Sequence, residues 1–239
     1  MFRGKTISLV IPAHNEEATI TNVVAEYRSS DYLDEILVVA NNCADRTEEL
    51  AREAGSRVIT EAKPGYGMAL TAGMNAAMGD ILILTEADGS FRAKDLEKLL
   101  AYLEDADMVV GTRTTRQMVE QGANMQRMLR WGNVFMAKFL ELLWFFPHEP
   151  RFTDVGCTYR ALTKEAWQRM APRLRSTGPA FSPEMMCAAL SEGCRVIEIP
   201  VTYSARAGGG SKHSASFLQQ AKTAWMMFKA ICRKRLVKR

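Results

Sequence analysis

Residues 7–39 run Ile7-Ser-Leu-Val-Ile-Pro-Ala-His-Asn-Glu-Glu-Ala-Thr-Ile-Thr-Asn-Val-Val-Ala-Glu-Tyr-Arg-Ser-Ser-Asp-Tyr-Leu-Asp-Glu-Ile-Leu-Val-Val39. Both ends of this stretch are near-continuous apolar runs of strand length. Between them Ile20, Val23, Val24 and Tyr27 recur at i, i+3, i+4 and i+7, the spacing of one helix face. Strand, helix and strand in that order make a βαβ unit. Apolar runs without polar alternation suit a parallel sheet covered on both faces.

The pattern extends outward. Asp45 with Glu48 has capping-box spacing and opens a second helix through about Ala54; Arg57-Val-Ile-Thr60 is a third strand. Met68 to Met78 is a third helix whose Met68, Met74 and Met78 read as core packing. Ile81-Leu-Ile-Leu84 is a fourth strand, Leu96, Leu99, Leu100 and Leu103 mark a fourth helix, and Met108-Val-Val110 is a fifth strand. The second half is less regular. Trp131 to Phe146 and Phe181 to Leu190 read as helices, Asp154 to Arg160 as a strand entering a turn, and Val196 to Val201 as another strand. Ala207-Gly-Gly-Gly-Ser-Lys212 is a loop, and a last helix starts near Ser216. The fold class is α/β, a mostly parallel sheet flanked by helices. Residues 1–214 form the domain, and 215–239 a C-terminal amphipathic helix with a basic tail.

The chain has 239 residues, 47% apolar and 24% charged, which suits one globular domain and excludes a disordered or fibrous chain. No apolar stretch is long enough to span a bilayer. Met1-Phe-Arg-Gly-Lys5 lacks the apolar core of a signal peptide, so a cytoplasmic protein is expected. Five cysteines without Cys-x-x-Cys spacing point to free thiols rather than to zinc or disulfides. Residues 229–239 hold six of the 31 cations and no acid, while the other 25 face 27 acids. The basic character is therefore a tail, and the slightly acidic remainder argues against a nucleic-acid partner.

Ligands of such sheets bind beyond the carboxyl ends of the strands. Those ends are polar here: Pro12-Ala-His-Asn-Glu16, Asn41-Asn-Cys-Ala-Asp45 and Glu86-Ala-Asp-Gly-Ser90. Gly65-x-Gly67 does not extend to the dinucleotide fingerprint, since residue 70 is Leu, and no Walker A sequence is present. Glu86 and Asp88, at i and i+2, can face one hard cation such as Mg²⁺ or Mn²⁺ together with phosphate oxygens. The blander alternative is two solvated acids in a turn. His14 and His213 read as ordinary hydrogen-bonding residues.

Ser8-Leu-Val-Ile-Pro-Ala-His-Asn-Glu-Glu17 resembles the opening of the family 2 glycosyltransferases. Ile36-Leu-Val-Val-Ala-Asn-Asn-Cys-Ala-Asp-Arg-Thr47 resembles their second strand and turn, and Gly65-Tyr-Gly-Met-Ala-Leu-x-x-Gly73 their third helix. Glu86-Ala-Asp88 stands in the place of the family's Asp-x-Asp motif. Asp154-Val-Gly-Cys-Thr-Tyr-Arg160 and Arg206-x-Gly-Gly-Gly-Ser-Lys212 are similar to the polyprenyl-phosphate branch, which includes dolichol-phosphate mannosyltransferase. The resemblance spans roughly residues 6–213. It implies the GT-A fold, a UDP- or GDP-linked sugar donor, a divalent metal and inversion at the anomeric carbon.

Carried over by position, Pro12, Ala13, Asn15 and Glu16 border the base and ribose, and Asn41 stands where the family often has a base-contacting Asp. Glu86, Ala87 and Asp88 meet the diphosphate, with Asp88 and Glu86 on the metal. Arg206 and Lys212 close over the diphosphate. Arg113, with Arg127 or Arg130, lies near the acceptor phosphate; solvated helix charge is the alternative for each. This chain departs from the pattern at Ala40 and Asn41, at Glu86, and at Ser90, where the branch often has a metal-contacting Gln. Asp88 and Asp154 are the catalytic candidates, Asp154 either as general base for a hydroxyl acceptor or as the group that orients a phosphate acceptor and nearby cations.

Two segments read as membrane-facing: Val134 to Phe146, strongly apolar, and the last helix, with Phe217, Ala221, Trp225, Phe228 and Cys232 near one face above the basic tail. A core helix or a homo-oligomer interface is the alternative. The expected activity is inverting transfer to a lipid-linked phosphate by a protein peripheral on the inner membrane face. The rivals are transfer to a lipid or saccharide hydroxyl with Asp154 as base, and a degenerate non-catalytic relative.

Overall fold

The computed structural model describes residues 1–120, 123, 127–207 and 217–236, with 127–129 and 217–218 as backbone alone. The strands are β1 (Ile7–Ala13), β2 (Glu35–Asn41), β3 (Arg57–Glu61), β4 (Ile81–Leu84), β5 (Met108–Thr112), β6 (Arg160–Thr163) and β7 (Val196–Pro200). The helices are α1 (Ile20–Arg28), α2 (Thr47–Glu53), α3 (Tyr66–Ala76), α4 (Leu96–Tyr102), α5 (Arg127–His148), α6 (Lys164–Met170), α7 (Phe181–Ser191) and α8 (Phe217–Leu236). One sheet holds the strands in the order β3-β2-β1-β4-β6-β5-β7. Among the described strands only β6 runs against its neighbours. The chain reaches it from a turn at the carboxyl ends of the parallel strands, so it re-enters the sheet in the opposite direction.

Strand residues alternate between two cores, as the period of two requires. Val10, Leu37, Val39, Leu82, Leu84 and Val110 pack with α3, α5, α6, α7 and α8. Leu9, Ile11, Val38, Ile81, Ile83 and Val109 face the other way, onto α1, α2 and α4. Gly73 lets α3 lie close on its face; a Cβ there would come 2.4 Å from Val10 Cγ1.

Several expectations are corrected. Asp45 does not form a capping box: its carboxylate accepts from the Thr47 amide at 3.1 Å, one residue early, while Glu48 pairs with Arg52. Residues 154–159 are a turn, and the strand begins only at Arg160. Met78 lies past the end of α3 and is exposed, not core. Helix α6 was not anticipated; it is short, and Thr163 Oγ1 caps it by accepting from the Ala166 amide.

The C-terminal helix packs on the core through part of the face read as membrane-facing, at Phe228. Ala230 and Ile231 are buried, Met227 and Phe228 pack on the same core, and Trp225 is exposed. Arg233 and Lys234 of the basic tail pair with the buried Glu184 at 3.2 and 2.9 Å. Lys229 lies over the Trp225 ring and Arg235 over Trp144. Lys238 and Arg239 fall outside the described residues. No helix among the described residues is long and apolar enough to cross a membrane.

Candidate active site

The carboxyl ends of the parallel strands and the turn before β6 meet along one edge of the sheet. The loop after β1 is tied to the loop after β2. Asn15, in the left-handed region at φ 57°, accepts from the Ala44 amide at 2.8 Å, and the Glu16 amide donates to Thr47 Oγ1 at 2.8 Å. Asn is one of the few side chains that tolerates such a backbone. His14 Nδ1 sits 2.7 Å from the Asn41 carbonyl oxygen, a hydrogen bond as anticipated. Pro12 and Ala13 still pair with β2, but β4 has already left β1 at Val10, so the donor Pro12 lacks would have met no partner there.

Asn41 is spent on the backbone. Its Nδ2 donates to the Glu61 and Lys63 carbonyls at 2.8 Å each, and its Oδ1 accepts from the Gly65 amide at 2.9 Å. It ties the ends of β2 and β3 to the start of α3, so its amide donors are not free to read a base. Gly65 and Gly67 are close-approach positions: a Cβ on Gly67 would come 2.4 Å from the Ser176 carbonyl oxygen, and the Gly67 amide donates to the Thr177 carbonyl at 2.8 Å.

The acid pair stands at the end of β4. Asp88 is buried and accepts from the Ser90 amide at 2.9 Å. Glu86 accepts from Thr158 Oγ1 at 2.8 Å, and Tyr66 hydrogen-bonds Thr158 in turn. Arg206 is delivered by backbone pairing, since the Ser204 and Ala207 amides donate to the Ser90 and Asp88 carbonyls. Its guanidinium touches both acids, Nη2 to Glu86 at 3.3 Å and Nε to Asp88 at 3.0 Å. The Nε–H does not point along that shorter contact, so among the described residues the buried Nε has charge attraction but no hydrogen-bond acceptor, and Ser90 Oγ likewise has no partner among them. Burial first, and Asp88 second, push the Glu86 carboxyl up to about 7.

Two carboxylates that converge on one cation, with the unpartnered Ser90 hydroxyl beside them, fit a divalent ion, while the Arg206 Nε–H suits an anion such as a diphosphate. No cluster of three or more His, Cys, Asp or Glu among the described residues would hold one unaided. Mg²⁺ is commonly held by one or two carboxylates plus substrate phosphates. Glu86 and Asp88 therefore suit an ion that arrives with a diphosphate.

Arg113 leaves the end of β5 and forks onto Asp154. Its Nε donates to Oδ2 at 2.8 Å, its Nη2 to Oδ1 at 3.0 Å and its amide to Oδ2 at 3.1 Å. The Gly156 amide also donates to Oδ1, at 3.0 Å. The Asp154 side chain is 0% exposed and that of Arg113 12%. Burial opposes the charge on Arg113, but Asp154 more than offsets it and raises the guanidinium well above its ordinary value. Arg113 lies over the Tyr203 ring at 5.3 Å and helps to hold the Glu86 carboxyl down. Arg130 is on α5, with its guanidinium over the Trp131 ring; the Arg127 side chain and Lys212 are outside the described residues. Sequence reasoning missed Tyr66, Thr158, Tyr203 and Arg160. Arg160 is buried and donates to the Val155, Cys157 and Ser182 carbonyls, fixing the turn after Asp154. Thr158 and Arg160 stood inside a quoted motif; Tyr203 gave no signal.

Residues 8–162 match the family model described as Glycosyl transferase family 2. An uncharacterized glycosyltransferase of Mycobacterium tuberculosis is 34% identical over 218 residues, 89% of this chain and 92% of its own. The chain belongs to glycosyl transferase family 2. A second relative of this glycosyltransferase, the dolichyl-phosphate hexose transferase of Haloferax volcanii, is 30% identical over 206 residues, 84% of each chain. The crystal structure of glucosyl-3-phosphoglycerate synthase from Mycobacterium tuberculosis, in complex with Mn²⁺, uridine diphosphate and glucosyl-3-phosphoglycerate, matches with a TM-score of 0.73 at 19% identity. It covers 99% of this chain and 82% of that one, which shows the GT-A fold.

Proposed function

We propose that this glycosyltransferase moves a sugar from a UDP- or GDP-linked donor to a polyprenyl phosphate, as a peripheral protein on the cytoplasmic face of the membrane. The observation that carries the reading is the Arg113–Asp154 pair beside the acid pair, which builds the acceptor side around a fixed cation and not a free base. Every Asp154 oxygen already accepts from Arg113 or Gly156, leaving none turned toward a hydroxyl proton. A phosphate monoester needs no base, since its second pKa is about 6. The dolichyl-phosphate relative supports the same acceptor class.

In this reaction an acceptor phosphate oxygen bonds to the anomeric carbon from the side opposite the nucleoside diphosphate. The bond from that carbon to the diphosphate oxygen breaks, and the diphosphate leaves. Arg113, with Arg127 or Arg130, orients the acceptor phosphate through planar donors. Pro12, Ala13, Asn15 and Glu16 border the nucleoside. Glu86 and Asp88 hold the Mg²⁺ or Mn²⁺ ion, which when bound neutralises diphosphate charge. Arg206 and Lys212 add cations where the leaving group gains charge.

Incubation with undecaprenyl phosphate, Mn²⁺ and a panel of nucleotide sugars is expected to yield a sugar-phosphate lipid. Asp88→Asn should weaken Mn²⁺-dependent nucleoside diphosphate binding at least about fivefold, the ~1–3 kcal/mol of a lost charge-assisted contact. Metal-independent nucleotide binding, unchanged in Asp88→Asn, would reject the acid pair. Transfer to a hydroxyl acceptor, with none to the lipid phosphate, would reject the acceptor class.

A further inference from the structure

The segment that carries Asp154 is not part of a strand, yet its amides are held. Glu198, in the middle of the edge strand β7, takes them. Its Oε1 accepts from the Thr153 and Asp154 amides at 2.9 Å each, and its Oε2 from the Thr153 amide at 2.8 Å and the Thr153 hydroxyl at 2.7 Å. A second route leads from the same residue to Arg113. Thr153 Oγ1 lies 2.8 Å from Thr112 Oγ1 and 2.6 Å from Thr114 Oγ1, the two residues flanking Arg113. An ionised carboxylate only accepts, so Thr153 donates to it and is left to accept from Thr112 and Thr114. Glu198 thus grips the β5 end through Thr153 and the Arg113 fork through Asp154.

This is a costly way to satisfy two amides. Burial, and Asp154 close by, push the Glu198 carboxyl up to about 7, whereas a backbone carbonyl would accept the same bonds without a charge. We propose that Glu198 is a positioning residue: by holding the Thr153 and Asp154 amides it fixes the Asp154 carboxylate and so sets the Arg113 fork toward the acceptor phosphate. The part that concerns the phosphate rests on the function proposed above; the part that concerns Arg113 does not.

Two readouts separate them. The first is hydrogen exchange at the Arg113 Nε–H, followed by NMR and assigned by its absence in Arg113→Lys. That proton is expected to be protected in the wild type, to exchange at least tenfold faster in Glu198→Ala, and to fall between in Glu198→Gln, which keeps one acceptor oxygen. The second is steady-state transfer to undecaprenyl phosphate, where Glu198→Ala is expected to raise the acceptor KM about tenfold, leave the donor KM unchanged, and be largely rescued by Glu198→Gln. Equal Arg113 protection in wild type and a folded Glu198→Ala overturns the proposal. If Glu198→Ala does not fold, unchanged protection in Glu198→Gln overturns it. If the wild type transfers nothing to the lipid phosphate, the function proposal fails, and the exchange measurement still decides the role of Glu198.

Discussion

Asp154 shows how a single buried acid constrains what its own mutation can report. As a base it would have one job, and Asp154→Asn would test it cleanly. Bonded twice to the Arg113 side chain, it has another. Asparagine would turn a donor toward the guanidinium and leave a mostly buried cation uncompensated, a loss of about 3 kcal/mol. The expected result is a lower denaturant midpoint, retained donor binding and a raised acceptor KM. Stability and acceptor KM equal to the wild type would remove Asp154 from this role. The sequence motif picks out Asp154 and the strand end picks out Arg113, but their bond joins residues 41 positions apart and no local pattern encodes it. Asn41 is read from sequence in the same limited way. Its place at a strand end points to a ligand, while its side-chain partners in the fold lie 20 to 24 residues further on.

Elements were more legible, because strands and helices write their periods locally. Continuous apolar runs located β1, β2, β4 and β5, and i, i+3, i+4 spacing located α1 and α4. Direction is not written that way, so the reversal of β6 could not be read from the four residues Arg160–Thr163. The glycines at the start of α3 stood out as a motif, and packing explains them: the helix begins against the carbonyls of Ser176 and Thr177. Gly67→Ala should force the start of α3 off this loop, because the atom met at 2.4 Å is backbone and cannot swing away. Overpacking of this kind typically costs about 1–3 kcal/mol. Since Asn41 Oδ1 anchors the adjacent Gly65 amide, the displacement should also weaken nucleoside diphosphate binding, as calorimetry would measure. Gly67→Ala with wild-type melting temperature and affinity would show that this contact does not set the helix.

Across the whole molecule, the outer surface of α5 and α8 bears on where the enzyme works. Trp131, Phe135 and Leu142 on α5, Phe146 just past the break in its helical backbone at Trp144, and Trp225 on α8 are all exposed large apolar side chains. Phe139 stacks on Phe228 at 4.9 Å, which joins the two helices into one surface. The cations Arg130, Lys138 and Lys229 border it. Trp and Phe among basic residues suit the interface of an anionic bilayer, and a lipid-linked acceptor would have to be met there. The sequence pointed to the same two helices, the last of them above a basic tail. In the fold Arg233 and Lys234 serve Glu184, so Arg233→Ala with Lys234→Ala should strand a buried acid and lower stability, whatever it does to binding. The sharper test puts charge on the exposed stripe. Trp131→Glu with Phe135→Glu touches no core position, so its melting temperature should stay within a few degrees of wild type. Each lost aromatic removes roughly 2 kcal/mol of interfacial burial, and pelleting with vesicles rich in phosphatidylglycerol should fall at least about tenfold. Unchanged pelleting of that folded variant would take the α5 face out of membrane contact and leave self-association as the reading of its exposed aromatics, which sedimentation of the same two proteins would detect as a difference in mass.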